Sequence, residues 1–273
     1  MKEKNKKITS NLSIFLIILV IIGFAWNTMD SSTTFSAYIE ENPATENYLI
    51  ETREIRGHVA LTFDDGPHPI HTPALLDALQ ERDARATFFL LGSKIKEHPE
   101  IVARMHEEGH LIGNHTYSHP ILQYLNNSCM LEEIVSTNLL IEKITGNLPN
   151  IFRPPFGQKD SRVIDVARQL NMSVILWSVD PWDWAYRNTN ITFEETVESI
   201  YESIMEYLKD GSIVVLHDVF ETTIAAAIKV MDTLIDKGYV FVTVKELFEL
   251  NDINLEAGGI YYSVYPVVRR GVL

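Results

Sequence analysis

The sequence predicts an α/β fold, a closed or nearly closed β/α barrel of seven or so parallel strands, on three observations. Short apolar runs alternate with helical patterns through most of the chain, which calls for parallel strands joined by crossover helices. Acidic, imidazole and indole side chains gather just past the ends of those runs, at the strand ends where α/β folds carry chemistry. No Gly-x-Gly-x-x-Gly follows a strand, so nothing marks a dinucleotide-binding sheet, and a closed or nearly closed barrel fits better than an open one.

The first strand is expected over 59–63, an apolar run that Gly66-Pro67 terminate. A helix over 72–82 follows, with Leu75, Leu76 and Leu79 on one face. Residues 87–91 read as a strand, 99–108 as a helix closed by Gly109, and 111–112 as a short strand. A helix over 131–145 stops at Gly146. Then come a strand stub at 150–152, a helix over 161–170 and a strand over 172–178. A long helix over 193–209, a strand over 212–216, and a helix over 222–236 closed by Lys237-Gly238 continue the alternation. The last strand is 239–243 and the last helix 244–250.

This core does not fill the 273 residues. Residues 1–30 read as a signal peptide or signal anchor: Lys2, Lys4, Lys6 and Lys7 precede an apolar run from Leu12 to Trp26. That run is short for a span, and no small-x-small cleavage site follows it. Residues 31–56 are a polar linker or lead-in, 57–250 the catalytic-looking domain, and 251–273 a C-terminal tail. The domain is therefore expected outside the cytoplasm, secreted or held to the membrane by its N-terminal segment. Cys129 is the only cysteine, which excludes an intrachain disulfide and a thiolate zinc site. The net charge of -14 excludes nucleic acid as a partner. We expect a monomer.

Chemistry concentrates in five stretches. Asp64-Asp65 end the first strand as adjacent carboxylates, which repel unless their roles differ, one for a metal and one for a proton. A bare turn would use the same Asp-Asp-Gly-Pro residues. His115 and His119, four apart, would face one ion from a helical turn. With one of the two acids they make a three-ligand site that leaves positions for water and substrate. Arg153-Pro154-Pro155-Phe156-Gly157 is stiff enough to aim a backbone N–H at an oxyanion, and Arg153 would keep a carboxylate ionised. Asp180-Pro181-Trp182-Asp183-Trp184 offers indoles for an apolar wall and an acid to orient a histidine. His217, at the end of the next strand, is placed to act as a general acid.

Those five stretches, in that order over 57–250, resemble the motifs of the NodB-homology polysaccharide deacetylases, a family of metal-dependent carbohydrate esterases. The resemblance implies an α/β fold of NodB-homology type, a distorted (β/α)7–8 barrel, and hydrolysis of N-acetyl groups on N-acetylglucosamine-type sugars of a cell-wall glycan, peptidoglycan first and chitin oligomers second. It implies one divalent cation, zinc foremost, with cobalt, manganese or nickel also compatible. It makes Asp64 the general base, Asp65, His115 and His119 the metal ligands, and Arg153 the group that keeps Asp64 charged. His217 would protonate the leaving amine, tuned by Asp180 or Asp183, of which Asp183 is preferred. Pro155, Phe156, Trp184 and Leu216 would form the substrate-binding wall, with the Phe156 N–H as oxyanion donor. The family usually carries Tyr where this chain has Phe156, so a phenolic hydroxyl is lost and the backbone donor kept. The alternative is a non-catalytic glycan-binding or cell-wall structural protein on the same fold.

Overall fold

The computed structural model describes residues 55–188 and 190–265. The expected signal segment, nearly all of the lead-in, and residues 266–273 lie outside the described residues. Among the described residues no helix is long and apolar enough to cross a membrane.

The elements run β1 (Gly57–Asp64), α1 (His71–Glu81), β2 (Thr87–Leu90), α2 (Gly92–Glu97), α3 (Pro99–Glu107), β3 (Leu111–Asn114), α4 (Asn127–Thr145), β4 (Ile151–Phe152), α5 (Ser161–Gln169), β5 (Ser173–Ile175), α6 (Phe193–Tyr207), β6 (Ile213–His217), α7 (Glu221–Asp236), β7 (Tyr239–Phe241), α8 (Val244–Glu249) and β8 (Ile260–Tyr261). Strand order is β6-β1-β2-β3-β4-β5-β8, with β7 paired to the first residues of β1. All these pairings are parallel. The sheet curls until Val179, past β5, bridges Val214 of β6. The barrel thus closes through isolated bridges rather than a continuous strand ladder, which is its distortion.

Strand alternation sorts the core. Along β1, Val59, Leu61 and Phe63 pack outward against α1 and α7 residues such as Leu75, Leu79 and Val230. Ala60 instead packs with Phe89, Ile151, Ile175 and Ile213, together with Leu247 and Phe248 of α8. These fill the apolar part of the interior. Thr62 and Asp64 share Ala60's side, so the same alternation turns the interior polar toward the carboxyl ends. Thr62 Oγ1 donates to Val214 O at 2.7 Å and accepts from Arg153 Nη1 at 2.8 Å.

Three departures from the sequence expectations have local causes. Helix α4 begins four residues early, because the Asn126 side chain caps it by accepting from Cys129 N–H at 2.9 Å. Helix α2 was not expected; it is a short turn of Gly-Ser-Lys-Ile-Lys-Glu with little periodicity to read. Residues 251–265 are not a tail: β8 adds to β5, and Ser263 bridges Ser212. Ile260 and Tyr261 are two residues among turns, too short a run to read as a strand.

Candidate active site

Two adjacent residues of an extended strand face opposite ways, yet Asp64 and Asp65 serve one mouth. Asp65 leaves the strand with φ +73°, the left-handed region, which turns its carboxylate back toward the cavity. Gly66 follows without a side chain for a steric reason: a Cβ there would lie 2.5 Å from both carboxylate oxygens of buried Asp218. Asp218 Oδ2 accepts from Thr72 Oγ1 of α1, which fixes the turn from below. Burial pushes the Asp218 carboxyl up to about 7.

His115 and His119 follow β3. They stand on irregular backbone rather than the helical turn their spacing predicted, with φ +70° at Thr116 and +62° at His119. Polar side chains of β3 and α4 hold this loop. Asn114 Oδ1 accepts from Thr116 N–H at 2.7 Å, and its amide donates to Ile134 O and Asn138 Oδ1. Glu133 accepts from the N–H groups of Tyr117 and Ser118 and from the Ser118 hydroxyl. The result brings both His Nε2 atoms to Asp65 Oδ1, at 3.5 Å from His115 and 3.4 Å from His119.

These three side chains fit a metal ion, and Asp65 Oδ1 is the reason. It is a buried carboxylate oxygen with no hydrogen-bond partner, which is costly unless a cation takes it. Asp65 Oδ1 stands 3.5 Å from His115 Nε2 and 3.4 Å from His119 Nε2, close enough for all three to reach one ion at about 2.0–2.2 Å. His115 Nδ1 bonds Arg153 O at 2.7 Å, so its Nε2 is aimed at the cluster. Burial lowers the His115 pKa to about 3, keeping the imidazole neutral as a ligand must be.

Arg153 is wholly buried inside the barrel. Its Nε donates to Ile175 O and its Nη2 to Leu176 O, each at 3.0 Å. Nη1 donates to Asp64 Oδ1 at 2.7 Å, and the guanidinium lies 4.1 Å from the Phe89 ring centroid. Burial pushes the Asp64 carboxyl above its ordinary value; Arg153, then His217, pull against it. A cation at Asp65 would add to that pull.

Across the sheet, β6 places His217 directly beside Asp64 in register. His217 Nδ1 bonds Asp183 Oδ1 at 2.8 Å, and its backbone N–H donates to Asp183 Oδ2 at 2.8 Å. Burial works to lower the His217 pKa, but Asp183, Asp64 and Asp65 together outweigh it and raise it to about 9. Of the two acids left open by the sequence, Asp183 is the one bonded to His217. Asp180 accepts from Trp182 N–H at 2.9 Å, and burial raises its pKa.

A cavity of about 580 Å³ opens on Asp64, Asp65, His115, His119 and His217, walled by Phe156, Trp177, Trp184 and Val215. Phe156 has φ +59° and sets its ring edge-on to His119, 4.6 Å between centroids. Two of the expected wall residues are elsewhere. Leu216 is fully buried in the outer core, because alternation that points His217 inward also points Val215 inward and Leu216 out. Val215 takes the place expected of Leu216. Pro155 is buried and does not line the cavity. Val215 was legible from that alternation; Asn114 and Glu133 carried no local signal.

The polysaccharide deacetylase family model matches residues 52–175. A peptidoglycan-N-acetylglucosamine deacetylase of Bacillus cereus is 38% identical over 194 residues, covering 69% of this chain and 87% of that one. The chain belongs to the polysaccharide deacetylase family. The peptidoglycan-N-acetylmuramic acid deacetylase PdaC of Bacillus subtilis is 40% identical over 192 residues, and there the match covers 70% of this chain but only 39% of that protein. Among solved structures, a family 4 acetyl xylan esterase from Clostridium thermocellum, in complex with a cobalt ion, superposes with TM-score 0.69 at 30% identity. That match covers 77% of this chain and all of the esterase chain.

Proposed function

We propose that this chain hydrolyses N-acetyl groups from N-acetylglucosamine-type sugars of a cell-wall glycan, peptidoglycan before chitin oligomers, releasing acetate outside the cytoplasm. The observation that carries the reading is the register pairing of Asp64 with His217 beside the unpartnered Asp65 Oδ1. A base, an acid and a ligand set share one mouth. The relatives' names support the substrate order, and the Lys-flanked apolar run at 1–30 supports export by a signal peptide or membrane anchor.

An amide is a poor electrophile and an amine a poor leaving group. Asp65, His115 and His119 would hold one divalent ion, zinc first, which when bound polarises the acetyl carbonyl and acidifies water. Asp64 takes the proton of the attacking water, its Oδ1 fixed by Arg153 so that Oδ2 faces the cluster, 3.8 Å from His115 Nε2. The Phe156 N–H, on its strained turn, is the proposed oxyanion donor. His217 gives its proton to the amine as the C–N bond breaks, held by Asp183 with Nε2 toward the cavity. Trp184 and Val215 wall the acetyl methyl. Acetate and a free amine leave.

Acetate release from peptidoglycan, chitin oligomers and acetylated xylan, with zinc or cobalt added, tests the reading. Release from the first two is expected, with peptidoglycan preferred. Bound metal with no acetate from any of the three would overturn it in favour of a glycan-binding protein.

A further inference from the structure

The loop after β5 holds a feature that the hydrolytic step does not use. Trp182 is 58% exposed, and its backbone sits at φ +58°. An indole left in water and a bulky residue in the left-handed region are each unfavourable, and here they coincide. The turn is nonetheless well determined. Pro181 fixes the approach, Asp180 Oδ1 accepts from Trp182 N–H at 2.9 Å, and Trp182 O accepts from Ala185 N–H at 2.9 Å. The outcome is a pair of indoles, Trp182 and Trp184, stacked at 5.4 Å between centroids and 27° between planes. Both line the cavity that holds Asp64 and His217. Buried Asp183 lies between them in sequence, so the segment that orients His217 also sets the pair at the mouth.

We infer that Trp182, backed by Trp184, is a stacking platform for a pyranose ring flanking the one that reacts. A β-linked pyranose presents a flat face of C–H groups, which packs on the electron-rich face of an indole. Trp184 backs Trp182 by stacking, and Trp182, the more exposed of the two indoles lining the cavity, offers its ring to an incoming sugar. The platform therefore recognises the polymer rather than the acetyl group, and its contribution grows with the number of sugar units. This inference rests on the glycan reading of the same site, and its test separates the two.

Trp182→Gly is the informative variant, because glycine is at home at φ +58° and removes the ring without loosening the turn. Its melting temperature is expected to equal or exceed that of the wild type. Kinetics are compared on N-acetylglucosamine oligomers from dimer to pentamer. The variant's kcat/KM relative to wild type should fall with length, to a loss of about three- to tenfold at the pentamer carried by KM, the size of one aromatic contact. Trp182→Phe should recover part of it. In parallel, pentamer binding is followed by tryptophan fluorescence in an Asp64→Asn background, where turnover does not interfere. Weaker binding in the Trp182→Gly form supports the platform even if the wild type releases no acetate, the outcome that defeats the deacetylase reading alone. A kcat/KM ratio constant across lengths, or unchanged pentamer binding, overturns the platform.

Discussion

Two carboxylates of this site hold a cationic partner at nearly the same distance: Asp64 takes Arg153 at 2.7 Å and Asp183 takes His217 at 2.8 Å. What separates them is the other lone pairs. Asp183 spends both oxygens, on His217 Nδ1 and Trp184 N–H through Oδ1, and on His217 N–H and Thr223 Oγ1 through Oδ2. Asp64 spends Oδ1 on Arg153 and leaves Oδ2 toward the cavity and the His115 ring. A saturated carboxylate can orient and polarise but has no capacity left to accept a substrate proton. A half-used one can. The partners differ in kind as well: Arg153 never gives up its proton, whereas His217 can. One dyad is therefore a fixed charge holding a base, and the other a fixed charge holding an acid.

The most forceful way to break this contrast is Asp64→Asn beside Asp65→Asn. Both should lose turnover by about 10²–10⁴-fold or more, the usual weight of a general base. Only Asp65→Asn should also lose metal, measured by calorimetric titration of zinc into the metal-free protein. Equal affinities in the two variants would undo the division of roles. Next in size is Arg153→Met, which leaves Asp64 buried without its charge partner. Breaking a buried pair from one side costs about 3–5 kcal/mol, read as a lower urea midpoint at neutral pH. The carboxyl, already raised by burial, should rise further and move the acid limb of the rate profile upward.

How the two dyads could be foreseen differs with distance along the chain. The run from Val59 to Phe63 and its Asp64-Asp65 ending were readable because alternation and a Gly-Pro stop are local signals. The site residues at the ends of β1, β3 and β6 were readable for the same reason. Leu216 shows that this signal is sharp to one residue: counting back from His217 by two, rather than by one, finds the pocket wall. The loop of His115 and His119 misled, because spacing of four reads as a helix while Asn114 and Glu133 impose left-handed turns instead. Glu133 lies fifteen residues from Ser118, with nothing local to mark it. The choice between Asp180 and Asp183 rested likewise on contacts with β6 and α7, which only the fold brings near. Residues 251–265 failed as a tail for want of any run long enough to announce β8.

A subtler test acts on the acid side. Asp183→Asn removes the carboxylate that does most to raise His217, so its pKa should fall from about 9 toward the ordinary 6.5. The alkaline limb of kcat/KM should move down with it. In wild type the raised value stabilises the fold fully below about pH 6.5, and that contribution, on the order of 3 kcal/mol, is lost as pH rises through 9. The variant should show a flatter stability profile over the same window. A bound cation repels the imidazolium, so the His217 pKa and the stability profile are best compared in metal-free protein, the pKa by following the His217 ring in NMR titrations, and the alkaline limb in the metal-loaded enzyme. An alkaline limb that stays in place would show that Asp183 only positions the ring.

The smallest expected change is also the most discriminating. Thr223→Val keeps the shape of α7's first turn but withdraws one of the four donors on Asp183. A hydrogen bond to a charged group contributes about 1.5–3 kcal/mol. With that donor gone, the Asp183 carboxylate is less well stabilised and turns more of its charge onto His217. If saturation is what fits Asp183 for orienting rather than proton transfer, the His217 pKa should rise slightly while kcat at neutral pH stays within a few-fold. A collapse of kcat with the fold intact would mean that Thr223 fixes the ring's aim, placing the weight of this dyad in geometry rather than charge.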